Sequence, residues 1–299
     1  MIVFVTGASG WIGSAVVDDL LSTGHQVIGL ARSDGSAAAL RARGVRVRRG
    51  DLDDPAGLRA GALEADATIH LANKHDWANQ AAMNRAERAA VQTIGDALAG
   101  TDRPFLVASG VVGFVADRTL TEADAAPFHG PDSLRGGSEN LTLDFFDRGV
   151  RAVSLRFAPT VHGTGDHGFI AHLVEIACAR GVSGYPGDGA NRWPAVHVRD
   201  AARMVTLGLE KAPAGTRLHA VAEEGVPTRV IAEAIGRAFG LPVAGIPAER
   251  VSEHFGWIGE FFAADAPTSS AQTRRLLDWT PTGPTLLEDI AAGAYRGSH

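Results

Sequence analysis

Cysteine is nearly missing from this 299-residue sequence: Cys178 stands alone. No disulfide can form within the chain, and a reducing, cytoplasmic setting is expected. The apolar neighbours of Cys178 (Ile176, Ala177, Ala179) mark it as a small core residue. Tyrosine is almost as scarce, with only Tyr185 and Tyr295. No apolar run approaches the ~20 residues of a membrane span. No basic segment leading into an apolar one precedes the first strand, so neither membrane insertion nor secretion is expected. Excess positive charge is lacking too: 28 Lys and Arg stand against 34 Asp and Glu. The basic run from Arg41 to Arg49 has no interleaved aromatics and reads as a solvated edge, not a nucleic-acid surface. What remains is an ordinary globular composition, 45% hydrophobic and 21% charged. It is enough for one large core with a smaller lobe attached.

The most informative stretch comes first. Ile2 to Thr6 is a run of apolar and β-branched residues, as in a buried strand. It enters Gly7-Ala-Ser9-Gly10-Trp11-Ile12-Gly13, and a helical pattern follows from Ser14 to Leu21. Strand, glycine turn and helix N-terminus together form an anion site. Gly7 allows the turn, Gly10 lets the backbone approach a pyrophosphate, and Gly13 allows close helix packing, which is the dinucleotide-binding pattern. About twenty positions on, at the end of strand Gln26–Ala31, an acid would select NAD. Arg32 and Ser33 stand there instead and suit a 2′-phosphate, so NADP(H) is preferred over NAD(H). Asp34 is the competing acid.

Strand and helix patterns then alternate. Val45–Arg49 is a half-exposed strand, followed by Asp51 and Leu52 placed to meet the adenine. Asp53 or Asp54 caps a helix with Pro55 at its first position. Ala67–Leu71 is the fourth strand, and Ala72 and Asn73 follow it beside the cofactor. His70 within it reads as a bonded core histidine. A helix over about Ala78–Leu98 leads to strand Phe105–Ser109, whose terminal serine faces the ligand crevice of an open sheet. A polar loop spans Asp117–Arg135, a helix Ser138–Arg148 and a sixth strand Arg151–Phe157. Pro159, Thr160, Val161 and His162 come next. This order predicts an α/β, Rossmann-type doubly wound parallel sheet over residues 1–160. A smaller, mostly helical substrate lobe follows over 161–299, interleaved with the first. Gly184–Gly189 reads as a turn-rich loop. The helices Ala78–Leu98 and Ser138–Arg148 could pair two subunits as a homodimer.

Thr6–Gly13, Gly50-Asp51-Leu52, Ile69–Ala72, Ser109, Arg156–Gly163, Trp193–Ala202 and Leu276–Pro281 together resemble the extended short-chain dehydrogenase/reductases, the NAD-dependent epimerase/dehydratase superfamily. The resemblance covers nearly the whole chain. It implies a nicotinamide cofactor, a small-molecule substrate and a catalytic Ser, Tyr and Lys. Ser109 matches the serine. Ser138 stands where the tyrosine belongs and Thr142 where the lysine belongs, so the chain resembles the atypical branch that has lost the pair. A serine hydroxyl cannot replace the tuned phenol unaided. His162 and His197 are therefore the expected proton donors, since imidazole titrates in the useful range. Asp166 and His167 lie in the loop between them. His162, His167 and His172 lack clear metal-ligand spacing, and no metal is expected. The leading expectation is an NADP(H)-dependent reductase of a carbonyl or imine. The alternatives are a nucleotide-sugar-type epimerase, isomerase or lyase that retains its cofactor, and a non-catalytic NADP-binding sensor.

Overall fold

The computed structural model describes residues 1–74, 79–112 and 118–296. Seven strands form the main sheet: β1 (Ile2–Thr6), β2 (Gln26–Ala31), β3 (Arg46–Arg49), β4 (Ala67–His70), β5 (Pro104–Gly110), β6 (Arg151–Phe157) and β10 (Thr216–Ala220). Their order is β10-β6-β5-β4-β1-β2-β3, with every pair parallel. Chain order reverses at β1, whose neighbours are β2 and β4. The crevice at the carboxyl ends beside this reversal is where an open α/β sheet holds its ligand. The doubly wound parallel sheet is thus the observed fold.

Helices cover both faces because the strands are apolar on both sides. One face packs against α1 (Trp11–Ser22), α2 (Asp34–Ala42), α7 (Val198–Lys211) and α11 (Ala271–Leu277), with Val16, Leu20, Leu40, Met204, Val205 and Leu277 fully buried. The other packs against α3 (Pro55–Glu64) and α4 (Gln80–Leu98), through Leu58, Val91 and Ile94. Asp54 caps α3 by accepting the Gly57 N–H at 2.9 Å, with Pro55 following. A short helix, α5 (Ser138–Asp144), continues into a tighter turn at 145–148 and ends at Gly149 with φ +69°. Ala78, Gly113, Asp117 and the last residues, Gly297-Ser-His299, lie outside the described residues.

The second lobe has its own core, built on Trp193, Ile231, Ile235, Phe255, Phe262 and Ile290. It contains β7 (Thr160–His162), α6 (Phe169–Arg180), β8 (Ser183–Pro186), β9 (Arg192–His197), β11 (Glu223–Pro227), α8 (Thr228–Phe239), β12 (Val243–Ile246), α9 (Val251–Phe255), α10 (Gly259–Ala263) and α12 (Leu286–Ala292). β7, β9 and β11 form one small sheet, and β8 pairs with β12 in another.

The chain after residue 160 is interleaved with the part before it: α7, β10 and α11 return to the main sheet and its core. Two sequence expectations change here. Part of the expected Gly184–Gly189 loop is strand β8, in parallel register with Val243–Ile246. Cys178 is exposed, not in the core. The buried stripe of α6 runs through Ile170, Ala171, Leu173, Val174 and Ala177, and Cys178 lies one step past it.

Candidate active site

One cleft of about 1270 Å³ runs along the carboxyl ends of the strands into the second lobe. The glycine turn forms its floor. Gly7 has φ +70°, and a Cβ there would lie 2.7 Å from the Ala72 backbone nitrogen. A Cβ on Gly13 would lie 2.0 Å from the Gly7 carbonyl oxygen, so Gly13 packs against the turn itself. Gly10 is the N-cap of α1 and is hemmed only by the Gly7 carbonyl oxygen at 3.3 Å. No side chain caps α1, and no acid lies in its first turn. Gly7, Ser9, Gly10, Trp11, Ile12 and Gly13 all line the cleft. A helix start uncapped by side chains, reached over bare backbone, fits a dinucleotide diphosphate.

The adenosine side follows from β2 and β3. Arg32, Ser33, Ser36, Asp51 and Leu52 line the cleft. Ser33 also caps α2, accepting the Ser36 N–H at 3.1 Å. Asp34 is not in the lining and pairs with Arg49 at 3.0 Å. Asp51 accepts the Asp53 N–H at 2.8 Å, and Lys74, also in the lining, pairs with Asp53 at 2.6 Å.

On the other side of β1, Ala72, Asn73, Ser109, Pro159 and Val161 line the cleft. Trp11 spans the two lobes, its indole N–H donating to the Val161 carbonyl at 2.7 Å. His70 is the bonded core histidine expected, 2.8 Å from the Thr6 hydroxyl. Burial, with the nearby Arg135 charge adding, lowers its pKa to about 3.

Other expected site residues lie elsewhere. Thr160 is buried and lies outside the lining that Pro159 and Val161 belong to. His162 and His197 do not line the cleft either. Pairing of β7 with β9 brings them side by side, ring centroids 5.6 Å apart, over α12. His162 Nδ1 lies 2.6 Å from an Asp289 carboxylate oxygen, and His197 caps α7 by accepting the Arg199 N–H at 3.3 Å. Burial lowers the pKa of His162 despite the Asp289 carboxylate. His162 ties the lobe's small sheet to its C-terminal helix, and His197 ties it to α7. From that loop the cleft instead receives Asp166 and His167. The His167 ring meets Trp11 edge-on at 6.1 Å. Asp166 accepts the Gly168 N–H at 2.7 Å and the Tyr295 hydroxyl at 2.9 Å. Burial raises the pKa of its carboxyl.

Ser138 lines the cleft but is buried, and its hydroxyl donates to the Arg135 carbonyl at 2.6 Å. Its proton is committed to holding a turn. Thr142 is fully buried, bonds the Ser138 carbonyl at 2.7 Å, and is not in the lining. Arg135 supplies the positive charge in this part of the cleft. It donates to the buried Glu87 carboxylate at 2.6 and 2.9 Å, and Asn73 donates to the other Glu87 oxygen at 2.6 Å. Burial raises the pKa of Glu87, with Arg135 opposing. Arg135, Gly136 and Gly137 have φ of 53°, 62° and 62°, three left-handed residues in succession. Glu139, which the dipole of α5 alone would favour, is also bound by the fully buried Arg156 at 2.6 Å. Sequence reasoning missed Arg135, and the Arg-Gly-Gly run before the helix was its available signal. Neither tyrosine lines the cleft: Tyr185 bonds Arg229 and Tyr295 bonds Asp166. Among the described residues no group of three or more His, Cys, Asp or Glu is placed to hold a metal ion.

Comparison with known proteins agrees with this geometry. The chain is 44% identical over 296 residues to the uncharacterized protein C2A9.02 of Schizosaccharomyces pombe, covering 99% of this chain and all of that one (100%). It is 32% identical over 315 residues to the 2'-dehydrokanamycin reductase of Streptomyces kanamyceticus, covering 98% and 84%. Its fold matches DesIV, the dTDP-glucose 4,6-dehydratase of Streptomyces venezuelae solved with NAD and TYD bound, with a TM-score of 0.79, 21% identity, and 99% and 97% coverage. The model for the NAD dependent epimerase/dehydratase family matches residues 3–221, and the chain belongs to that family.

Proposed function

We propose that this chain is an NADP(H)-dependent reductase of a small carbonyl or imine compound. One observation carries the reading. A single cleft joins a helix start built for a diphosphate to Ser109 and Arg135, with Arg32 at the adenosine side. The reductase name of the Streptomyces kanamyceticus relative supports it.

When bound, the cofactor supplies a hydride to the substrate carbon. The residues of the chain do the rest. The Ser109 hydroxyl donates to the substrate oxygen. Arg135, held by Glu87, places fixed positive charge where that oxygen becomes negative, and such preorganised charge is worth most in a site closed from water. His167 donates the proton that completes the alcohol or amine. Arg32 pairs with the 2′-phosphate, and Asp34 is held off by Arg49.

NADPH absorbance followed with a panel of aldehydes, ketones and imines tests the reading. At least one member should consume NADPH, and His167→Gln should lower kcat by about a hundredfold without weakening NADPH binding. NADPH that binds but is not consumed by any panel member would turn the assignment toward a sensor.

A further inference from the structure

The second-lobe end of the cleft is walled by rings. Phe169 and His172 come from α6, Phe261 from α10, and Trp257 from the turn just before α10. Phe169 meets Trp257 edge-on at 5.8 Å and lies near-parallel to Phe261 at 6.5 Å, while His172 stacks on Trp257 at 5.4 Å. Trp257 is 44% exposed, whereas Trp193 and Trp279 are buried at 0% and 2%. A large ring left wet on a cleft wall forgoes the burial that rings usually gain, and a ligand can supply it.

Carboxyl groups and imidazoles, with His172 paired to Glu175 at 3.2 Å, are the titratable groups of this end among the described residues. Asp166 and Glu175 are in the lining there. The cations that line the cleft, among the described residues, are Arg32, Lys74 and Arg135. Arg32 and Lys74 belong to the adenosine side, and Lys74 is paired with Asp53. Arg135 is paired with Glu87 on the β4 side. Among the described residues, a substrate carrying a diphosphate would meet two carboxyl groups and no guanidinium or ammonium at the ring-walled end. Anion recognition in proteins rests on such cations or on helix starts, and the helix start at this end, that of α6, carries the Asp166 carboxylate on its Gly168 N–H at 2.7 Å.

We infer that this end selects an uncharged carbonyl compound with a planar ring face, stacked on Trp257 and Phe261, and rejects phosphate-bearing substrates. The inference deepens the reductase reading and rests on it for turnover. In the step, the carbonyl carbon gains the hydride of NADPH, its oxygen gains one proton, and NADP+ is released. Recognition of the ring is separate from that step.

Phenanthrenequinone, butanedione and UDP-glucose are suitable probes, since the first two share a dicarbonyl and differ in ring face. With the NADP+-bound protein, equilibrium dialysis should show phenanthrenequinone binding at least about tenfold tighter than butanedione, and no competition by UDP-glucose. Trp257→Ala should raise KM for phenanthrenequinone about tenfold with kcat little changed, while Trp257→Phe keeps most of the affinity. NADPH binding should be unchanged in both. Equal affinity for the two dicarbonyls, no effect of Trp257→Ala, or displacement by UDP-glucose overturns the inference and leaves the reductase reading intact. Ring-selective binding without NADPH consumption removes the reductase reading and leaves ring selection standing.

Discussion

At Gly13 a single methyl group decides between a formed and a broken loop. Its Cβ would stand 2.0 Å from the Gly7 carbonyl oxygen, inside any allowed contact. Gly13→Ala should therefore displace the turn, lower stability by about 1–3 kcal/mol, and abolish cofactor binding. Gly10→Ala meets only one atom, at 3.3 Å, so it should cost much less stability and yet obstruct the ligand's approach. Thermal melts with and without NADPH separate the two. Arg135 is decisive in another way. Its guanidinium is fixed by Glu87 and its backbone by two left-handed glycines. Arg135→Gln should lower kcat by about a hundredfold, in the range seen when one oxyanion donor is removed, with little change in NADPH affinity. Steady-state kinetics beside a binding titration checks this.

At the scale of elements, the sequence revealed most where backbone geometry demanded a residue type. The turn before α1 needs Gly7 at φ +70°, and only glycine adopts that freely. The burial patterns of β1, β2 and β6 are equally plain, because both faces of each are covered. Side-chain direction was not legible. His162 stands near the end of a main-sheet strand in sequence, as a catalytic group would. Its direction is set by β7 joining β9 and by Asp289 of α12, a residue 127 positions away. Arg135 was hidden for a related reason: it becomes a site residue only because Glu87 of α4 waits for it. The return of β10 to the main sheet was also beyond local pattern, since register with Val153–Phe157 is a tertiary fact. Helix α4 shows how tightly these elements fit. A Cβ on Gly95 would lie 2.2 Å from the Phe145 ring, so Gly95→Ala should lower stability by about 1–3 kcal/mol in denaturant titrations. Activity per folded molecule should be kept.

Across the whole molecule, buried titratable groups give stability a pH signature. Burial holds down the pKa of His70, His162 and His219. Each takes up a proton more readily when unfolded than in the fold. Their contribution is fully present above the unfolded value of about 6.5 and is lost as pH falls, for His70 down to about 3. Glu87, Asp166 and Glu223 run the other way, with pKa values raised by burial, and weaken the fold as pH rises past the ordinary carboxylate range. A difference measurement isolates one group. Between about pH 7 and about pH 5, wild type should lose roughly 2 kcal/mol more stability than His70→Gln. Equal slopes for the two proteins would mean that His70 is not held neutral.

The molecule as a whole is a dinucleotide holder with a ring-walled annex, and Arg32 is the side chain on which the proposed choice of NADPH over NADH rests. Calorimetric titration of wild type and Arg32→Ala with NADPH and with NADH tests that choice directly. Wild type should bind NADPH about tenfold to a hundredfold tighter than NADH, and the gap should close in Arg32→Ala through loss of NADPH affinity alone. Tighter binding of NADH by wild type, or no heat with either nucleotide, would contradict it.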